Sequence, residues 1–282
     1  MAANDGSKVP ASSSGKPPGK SPSGSSSSKK ADSSAKANPP SRKLRVLCLH
    51  GLRTSAKIMQ QQVELAQWAL EDIVEFVYMN APFPATGKSD VEKRFEPPYF
   101  EWYQANQDYS EIYGLEEASV HIIDFIKTRG PFDGLMGFSQ KLELVQSGFK
   151  PGCSCGHNNV DVEASSLRGA VLAGALVGLQ EKGLALPDVP RFTFIVLIGG
   201  CRSKALVLRP AYFDPILTPS LHFIGEKDFM KEGGELLITS FKDATVIHHP
   251  HGHLIPRLGD EELKTCRAYF QKYFDLKFSP KS

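Results

Sequence analysis

Long apolar runs are missing from this sequence. No stretch reaches the about 20 consecutive hydrophobic residues that a helical membrane span needs. No hydrophobic segment follows the first residues either, so a secretory signal is not expected. Cysteine is scarce and odd in number, five in 282 residues, and Cys48 and Cys201 lie in apolar segments. A disulfide framework is therefore not expected, and reduced thiols inside a cell are. The cytoplasm is the expected compartment, with the nucleus a second site. Plastid import is the alternative suggested by a Ser-rich, acid-poor leader, but its Pro, Gly and Lys content argues against a transit peptide. No glycine fingerprint for a dinucleotide is present, and no cofactor is expected.

Net charge is also small, +2, and unevenly spread. Residues 1–43 carry eight Lys and Arg against two Asp, a net of +6, which leaves −4 for the rest. A mildly acidic body argues against nucleic-acid binding by the folded part. The same 43 residues hold almost no large apolar side chains. They cannot bury enough surface to offset the entropy of ordering, so they read as a disordered basic tail. Its lysines offer a contact for RNA, a membrane or an acidic partner, against the plainer reading of a solvated leader.

From Leu44 the pattern changes to alternating strands and helices. Leu44–Leu49 is a β-rich run ending at His50-Gly51. Residues 55–70 make an amphipathic helix, 73–79 a second strand, and Leu115–Lys127 a helix closed by Gly130-Pro131. A strand then leads to Ser139. Ala170–Lys182 reads as an apolar helix and Arg191–Ile198 as a buried strand. Ser220–Ile224, Gly234–Phe241, Thr245–Ile247 and Asp260–Phe274 follow as strand, helix, strand and helix. This alternation predicts an α/β fold, a mostly parallel sheet with helices on both faces. The ordered domain is expected over 44–276, with a short C-terminal tail at 277–282.

Four strand ends carry reactive groups: His50-Gly51, Ser139, Asp228 and His253. Open α/β sheets collect functional groups at the carboxyl ends of their strands. Ser139 lies in Gly137-Phe138-Ser139-Gln140, four residues of a G-x-S-x-G elbow behind a buried strand. Its hydroxyl is a weak nucleophile until a base removes the proton. His253, in HHPHGHLIP, is the candidate base, and Asp228, in LHFIGEKDFM, the carboxylate that orients it. Glu226 is the neighbour that competes for that role, and a loop salt bridge is the plain alternative for either acid. Backbone N–H groups of Leu52 and Gln140 are the candidate oxyanion donors. The side chain of His50 reads as structural. His249, His251 and His253 have alternate spacing, but no acidic or Cys ligand accompanies them, and no metal is expected. The loop from Pro82 to Tyr113 is rich in aromatics. Phe100, Trp102 and Tyr103 are expected to line an acyl pocket, a packing flap being the rival role.

With these residues in hand, the sequence resembles the FSH family of serine hydrolases, α/β-hydrolases that include an ovarian-cancer-associated homologue. The stretches that carry the resemblance are LRVLCLHGLRTSAKIMQQQ, FVYMNAPFP, YFEWY, GPFDGLMGFSQ, IGG, PSLHFIGEKDFM and HHPHGHLIPRL, spread over about residues 44–275. The resemblance implies hydrolysis of carboxylic esters or thioesters by Ser139, Asp228 and His253, with a small-molecule acyl substrate as partner. One departure stands out. The family reads G-F-S-Q-G straight into an apolar helix, whereas here Lys141 follows Gln140. Removing residues 141–168 restores GFSQ-GAVLAGALVGLQEKG. These 28 residues read as an in-frame insertion, such as a retained intron would leave. Its Cys153, Cys155 and His157 lack a fourth metal ligand. The expectation is a serine hydrolase impaired by the insertion. The competing reading is a non-catalytic interaction protein that keeps the fold.

Overall fold

The computed structural model describes residues 42–105, 112–139, 169–203 and 205–279. The expected insertion at 141–168 and the donor Gln140 lie outside the described residues, as does the tail as far as Ser41.

Six strands form one parallel sheet: β1 Leu44–Leu49, β2 Val74–Met79, β3 Gly134–Phe138, β4 Phe194–Ile198, β5 Ser220–Gly225 and β6 Ala244–His249. Their order across the sheet is 6-5-4-3-1-2. The chain leaves β1 for β2 on one side, and β3 then pairs with β1 on the other. Such a reversal opens a crevice at the carboxyl ends of the two central strands. His50-Gly51 follows β1 and Ser139 follows β3, so the crevice has Ser139 at its edge.

Period-two alternation within the strands sorts the core into two layers. Leu47 and Leu49 join one layer with Leu135, Ile195 and Leu197. Val46 and Cys48 join the other with Met136, Phe138, Phe194 and Val196. Helices α1 (Ala56–Ala66) and α5 (Asp260–Phe278) cover the second layer through Met59, Val63, Cys266 and Phe270. Helices α2 (Leu115–Arg129), α3 (Gly169–Glu181) and α4 (Lys231–Ile238) cover the first through Ile122, Leu172, Leu176 and Leu237. Every residue of α3 from Gly169 to Gln180 is buried, which explains its apolar composition all round.

Some boundaries differ from the sequence expectation. Helix α1 stops at Ala66, because Gln67 takes a left-handed conformation with φ 53° and its N–H returns to Glu64 O. The indole of Trp68 then leaves the helix to donate to Pro256 O at 2.9 Å. Helix α4 starts earlier than expected, at Lys231, directly after Asp228 Oδ1 accepts from Met230 N. Helix α5 runs to Phe278, into the expected C-terminal tail, and Lys277 is held by Asp133 at 2.7 Å.

Candidate active site

Ser139 directly follows β3 with φ 78°, the left-handed region. A non-glycine residue held there costs about 1–3 kcal/mol, and a strained turn of this kind lifts a side chain clear of its strand. Its backbone N–H is fixed to Ile198 O at 2.8 Å. Gly51 packs against it from the loop after β1. A Cβ on Gly51 would stand 2.9 Å from Ser139 Cβ and 3.4 Å from its Oγ, so that loop reaches the hydroxyl only because the residue is glycine.

Asp228 and His253 come from the loops after β5 and β6. The pairing of those strands continues into the loops, with Glu226 N donating to His249 O at 2.8 Å and Lys227 N to His251 O at 3.1 Å. The two side chains meet as a result: His253 Nδ1 lies 2.9 Å from Asp228 Oδ2. On its other side, His253 Nε2 lies 2.8 Å from Ser139 Oγ. Three side chains distant in the sequence thus form one hydrogen-bonded line.

Charge decides which nitrogen carries the proton. Burial alone would raise the Asp228 carboxyl. The hydrogen bond from His253, the favourable electrostatics of that contact and the N–H of Met230 outweigh it, and the net shift is downward. An ionised carboxylate only accepts, so Nδ1 carries the proton. Nε2 then presents its lone pair to the Ser139 hydroxyl, the arrangement required for proton removal. Glu226, the rival acid, is engaged outside this line. It pairs with Lys231 at 2.6 Å and with His248 at 2.9 Å.

The loop after β1, which carries the candidate donor Leu52, is built around His50, which is fully buried. Its Nε2 accepts from Ala81 N at 3.0 Å, so its Nδ1 donates to Gly51 O at 2.7 Å. Burial lowers its pKa to about 4, and the ring stays neutral. Thr54 Oγ1 donates to the same Gly51 carbonyl at 3.0 Å. These bonds pin the loop that carries Leu52, next to the glycine that touches Ser139. The structural role expected for the His50 side chain is therefore its observed surroundings.

The aromatic loop differs from its expected role at two positions. Trp102 and Tyr103 are 1% and 3% exposed and belong to the hydrophobic core. The Trp102 indole donates to His50 O at 2.8 Å, inward rather than toward a cavity. Phe100 is half-buried against the same core. An apolar cavity of about 880 Å³ lies elsewhere, between the first turns of α2, the end of α3 and the segment Ala205–Pro210. Leu115, Ile123, Leu176 and Leu208 line it. The histidine triplet also parts. His249 and His251 keep their rings 5.8 Å apart, while His253 turns to Ser139.

Sequence reading missed three neighbours of the line. Gly199, φ 57°, lies beneath it, and a Cβ there would come within 2.8 Å of His253 Cε1 and 3.2 Å of Asp228 Oδ2. Gly199-Gly200 after β4 was the available signal. Phe138 and Phe229 lie 5.5 Å and 4.8 Å from the His253 ring, centroid to centroid. Nothing in their spacing marks them, because the contacts join the end of β3 to the loops after β5 and β6.

Sheet order and crevice define the α/β-hydrolase fold, shared with maize acyl-protein thioesterase 2, whose crystal structure superposes at a TM-score of 0.53 with 16% identity over 83% of this chain and 95% of that one. The chain belongs to the FSH1 serine hydrolase family, whose sequence model matches residues 40–141 and 166–264. The break between the two matched stretches falls inside the 141–168 segment. It is 30% identical over 235 residues to the zebrafish protein named esterase OVCA2, covering 76% of this chain and 90% of that one. Identity is also 30% over 241 residues to the Drosophila melanogaster protein named esterase CG5412, covering 81% and 74%. A Schizosaccharomyces pombe protein named dihydrofolate reductase is 26% identical, but the match covers only 45% of its length. By family the chain is an enzyme, a serine hydrolase of the esterase kind.

Proposed function

We propose that this chain hydrolyses carboxylic esters or thioesters through an acyl-enzyme intermediate on Ser139. The observation that carries the reading is the continuous line from Ser139 Oγ through His253 to Asp228, with bonds of 2.8 and 2.9 Å. His253 Nε2 takes the hydroxyl proton as Oγ bonds to the acyl carbon. The imidazolium so formed is held by the Asp228 carboxylate. The same proton then passes to the departing alkoxide or thiolate as its bond to carbon breaks. Water repeats the sequence, giving its proton to His253 while its oxygen displaces Ser139 from the acyl group. The backbone N–H of Leu52 is one proposed donor to the oxyanion, and that of Gln140 the second.

The insertion bears on the second donor. Gln140 is the last residue before it, and loss of one oxyanion donor lowers turnover by roughly 10²–10³-fold. The line of three side chains needs none of residues 141–168, so the reading is of an enzyme slowed and still measurable. The opposing reading, a non-catalytic interaction protein, rests on this interruption of the motif. The substrate is taken to be a small acyl ester or thioester, with a broad range of acyl lengths open.

A fluorophosphonate probe separates the two. Labelling of the full chain that is absent from Ser139→Ala supports hydrolysis. Faster labelling by at least tenfold after deletion of 141–168 supports impairment by the insertion. Equal rates with and without 141–168 would sink the impairment. No labelling of either form would leave the interaction protein as the answer.

A further inference from the structure

The face of the site beside His253 carries an apolar side chain that neither the fold nor the hydrogen-bonded line requires. Phe229 is 62% exposed, yet its ring centroid lies 4.8 Å from that of His253, tilted by 42°. Its position follows from its neighbours. Asp228 is turned inward to His253, and Met230 is buried, with its N–H bound to Asp228 Oδ1 at 2.8 Å. The residue between them is left to project outward. Leu254, which follows His253, is also exposed, at 41%. Isolated exposed hydrophobics are commonplace. A large aromatic in ring contact with the group that handles the proton is a different matter.

The chemistry of proton return gives that position a meaning. Resting on the hydrolase reading above, His253 Nε2 must deliver its proton to the heteroatom of the leaving group. That atom therefore comes within about 3 Å of Nε2. The acyl chain departs from the same carbon in another direction. Groups attached to that heteroatom extend from the imidazole that Phe229 contacts, and the exposed face of the ring leaves them room. We propose that Phe229 is a specificity-determining residue that binds the leaving-group side of the substrate, and that the preferred esters or thioesters release an apolar, ring-bearing or branched alcohol or thiol. The acyl side is left to other residues. An aromatic face next to an apolar leaving group removes surface from water on binding, with no cost to the free enzyme's fold, because Phe229 stays exposed there.

The experiment compares the full chain with Phe229→Ala, Phe229→Tyr and Ser139→Ala on two ester sets. In the first, butyrate is held constant and the leaving group is methanol or benzyl alcohol. In the second, methanol is held constant and the acyl group is acetate, butyrate or hexanoate. Comparing each variant with the unaltered chain on the same ester cancels the intrinsic reactivity of that ester. Phe229→Ala is expected to lower kcat/KM for benzyl butyrate roughly tenfold more than for methyl butyrate. It should act evenly across the acyl series, and Phe229→Tyr should restore the benzyl preference. Equal losses on methyl and benzyl esters, or a loss that tracks acyl length, overturn the inference and leave the hydrolase reading intact. A full chain that is no faster than Ser139→Ala on every ester overturns the hydrolase reading, and the inference with it.

Discussion

Gly169, the first residue of α3, lies so close to Leu49 at the end of β1 that a Cβ on it would stand 2.2 Å from the Leu49 carbonyl oxygen. Its own carbonyl is equally near to Gly137, where an added Cβ would meet it at 2.2 Å. Helix α3 is therefore seated at the base of the Ser139 turn. Glycine is needed there for close approach, the role the family resemblance assigns to the residue after G-F-S-Q.

Substituting Gly169 by Ala should unseat the helix. The atoms in the way are backbone and have little room to move, so the cost should reach about 2–3 kcal/mol, the upper range for overpacking. Urea denaturation of Gly169→Ala measures it. A midpoint equal to that of the unaltered chain would show that α3 docks without this contact. Fluorophosphonate labelling of Ser139 should slow in the same variant.

Acid should weaken the fold through its buried histidines. His50 and His222 are held neutral by burial, their pKa values lowered from 6.5 to about 4 and about 3. His249 shifts the same way. Below pH 6.5 the unfolded chain takes up protons that these rings refuse in the folded state, so stability falls as pH drops. It goes on falling until the folded values are reached. Between pH 6.5 and 5 the loss should be about 2 kcal/mol for each of the two. Urea midpoints at pH 7 and pH 5 test this. His222→Leu, which fills a similar volume beside Phe241, should remove about half of the difference. An unchanged difference in that variant would move the acid sensitivity elsewhere.

Trp102→Ala separates packing from substrate binding. The indole is buried and holds the His50 carbonyl, so its loss should destabilise the chain by about 3–5 kcal/mol. Activity toward short and long p-nitrophenyl esters should fall together where the protein remains folded. A selective loss on long acyl chains, with stability unchanged, would return Trp102 to the acyl pocket.

Much of the fold was legible because its signals are local. Continuous apolar runs such as FIVLI and GLMGF make buried parallel strands, and the boundaries of β2 and α2 were close to their expected places. Errors gathered where a long-range contact outweighs local preference. Trp68 continues the helical pattern in the text but is drawn out of it by Pro256. Trp102 and Tyr103 have the composition of a pocket wall, yet the main core takes them in. Composition records that an aromatic will be buried somewhere and not which surface will bury it.

The sequence by itself determined the class of the fold, singled out Ser139, His253 and Asp228 as the candidate line with Glu226 as a rival acid, and marked where the G-x-S-x-G motif breaks off after Gln140. Each of these is written in residue type, order and spacing along one strand end at a time. Tertiary structure alone decided that Asp228 and not Glu226 faces His253, that Gly199 lies under the pair, and that Phe229 rests beside the imidazole. Those facts depend on the angles at which loops leave β4, β5 and β6, and such angles are set by hydrogen bonds between strands that lie far apart in the chain.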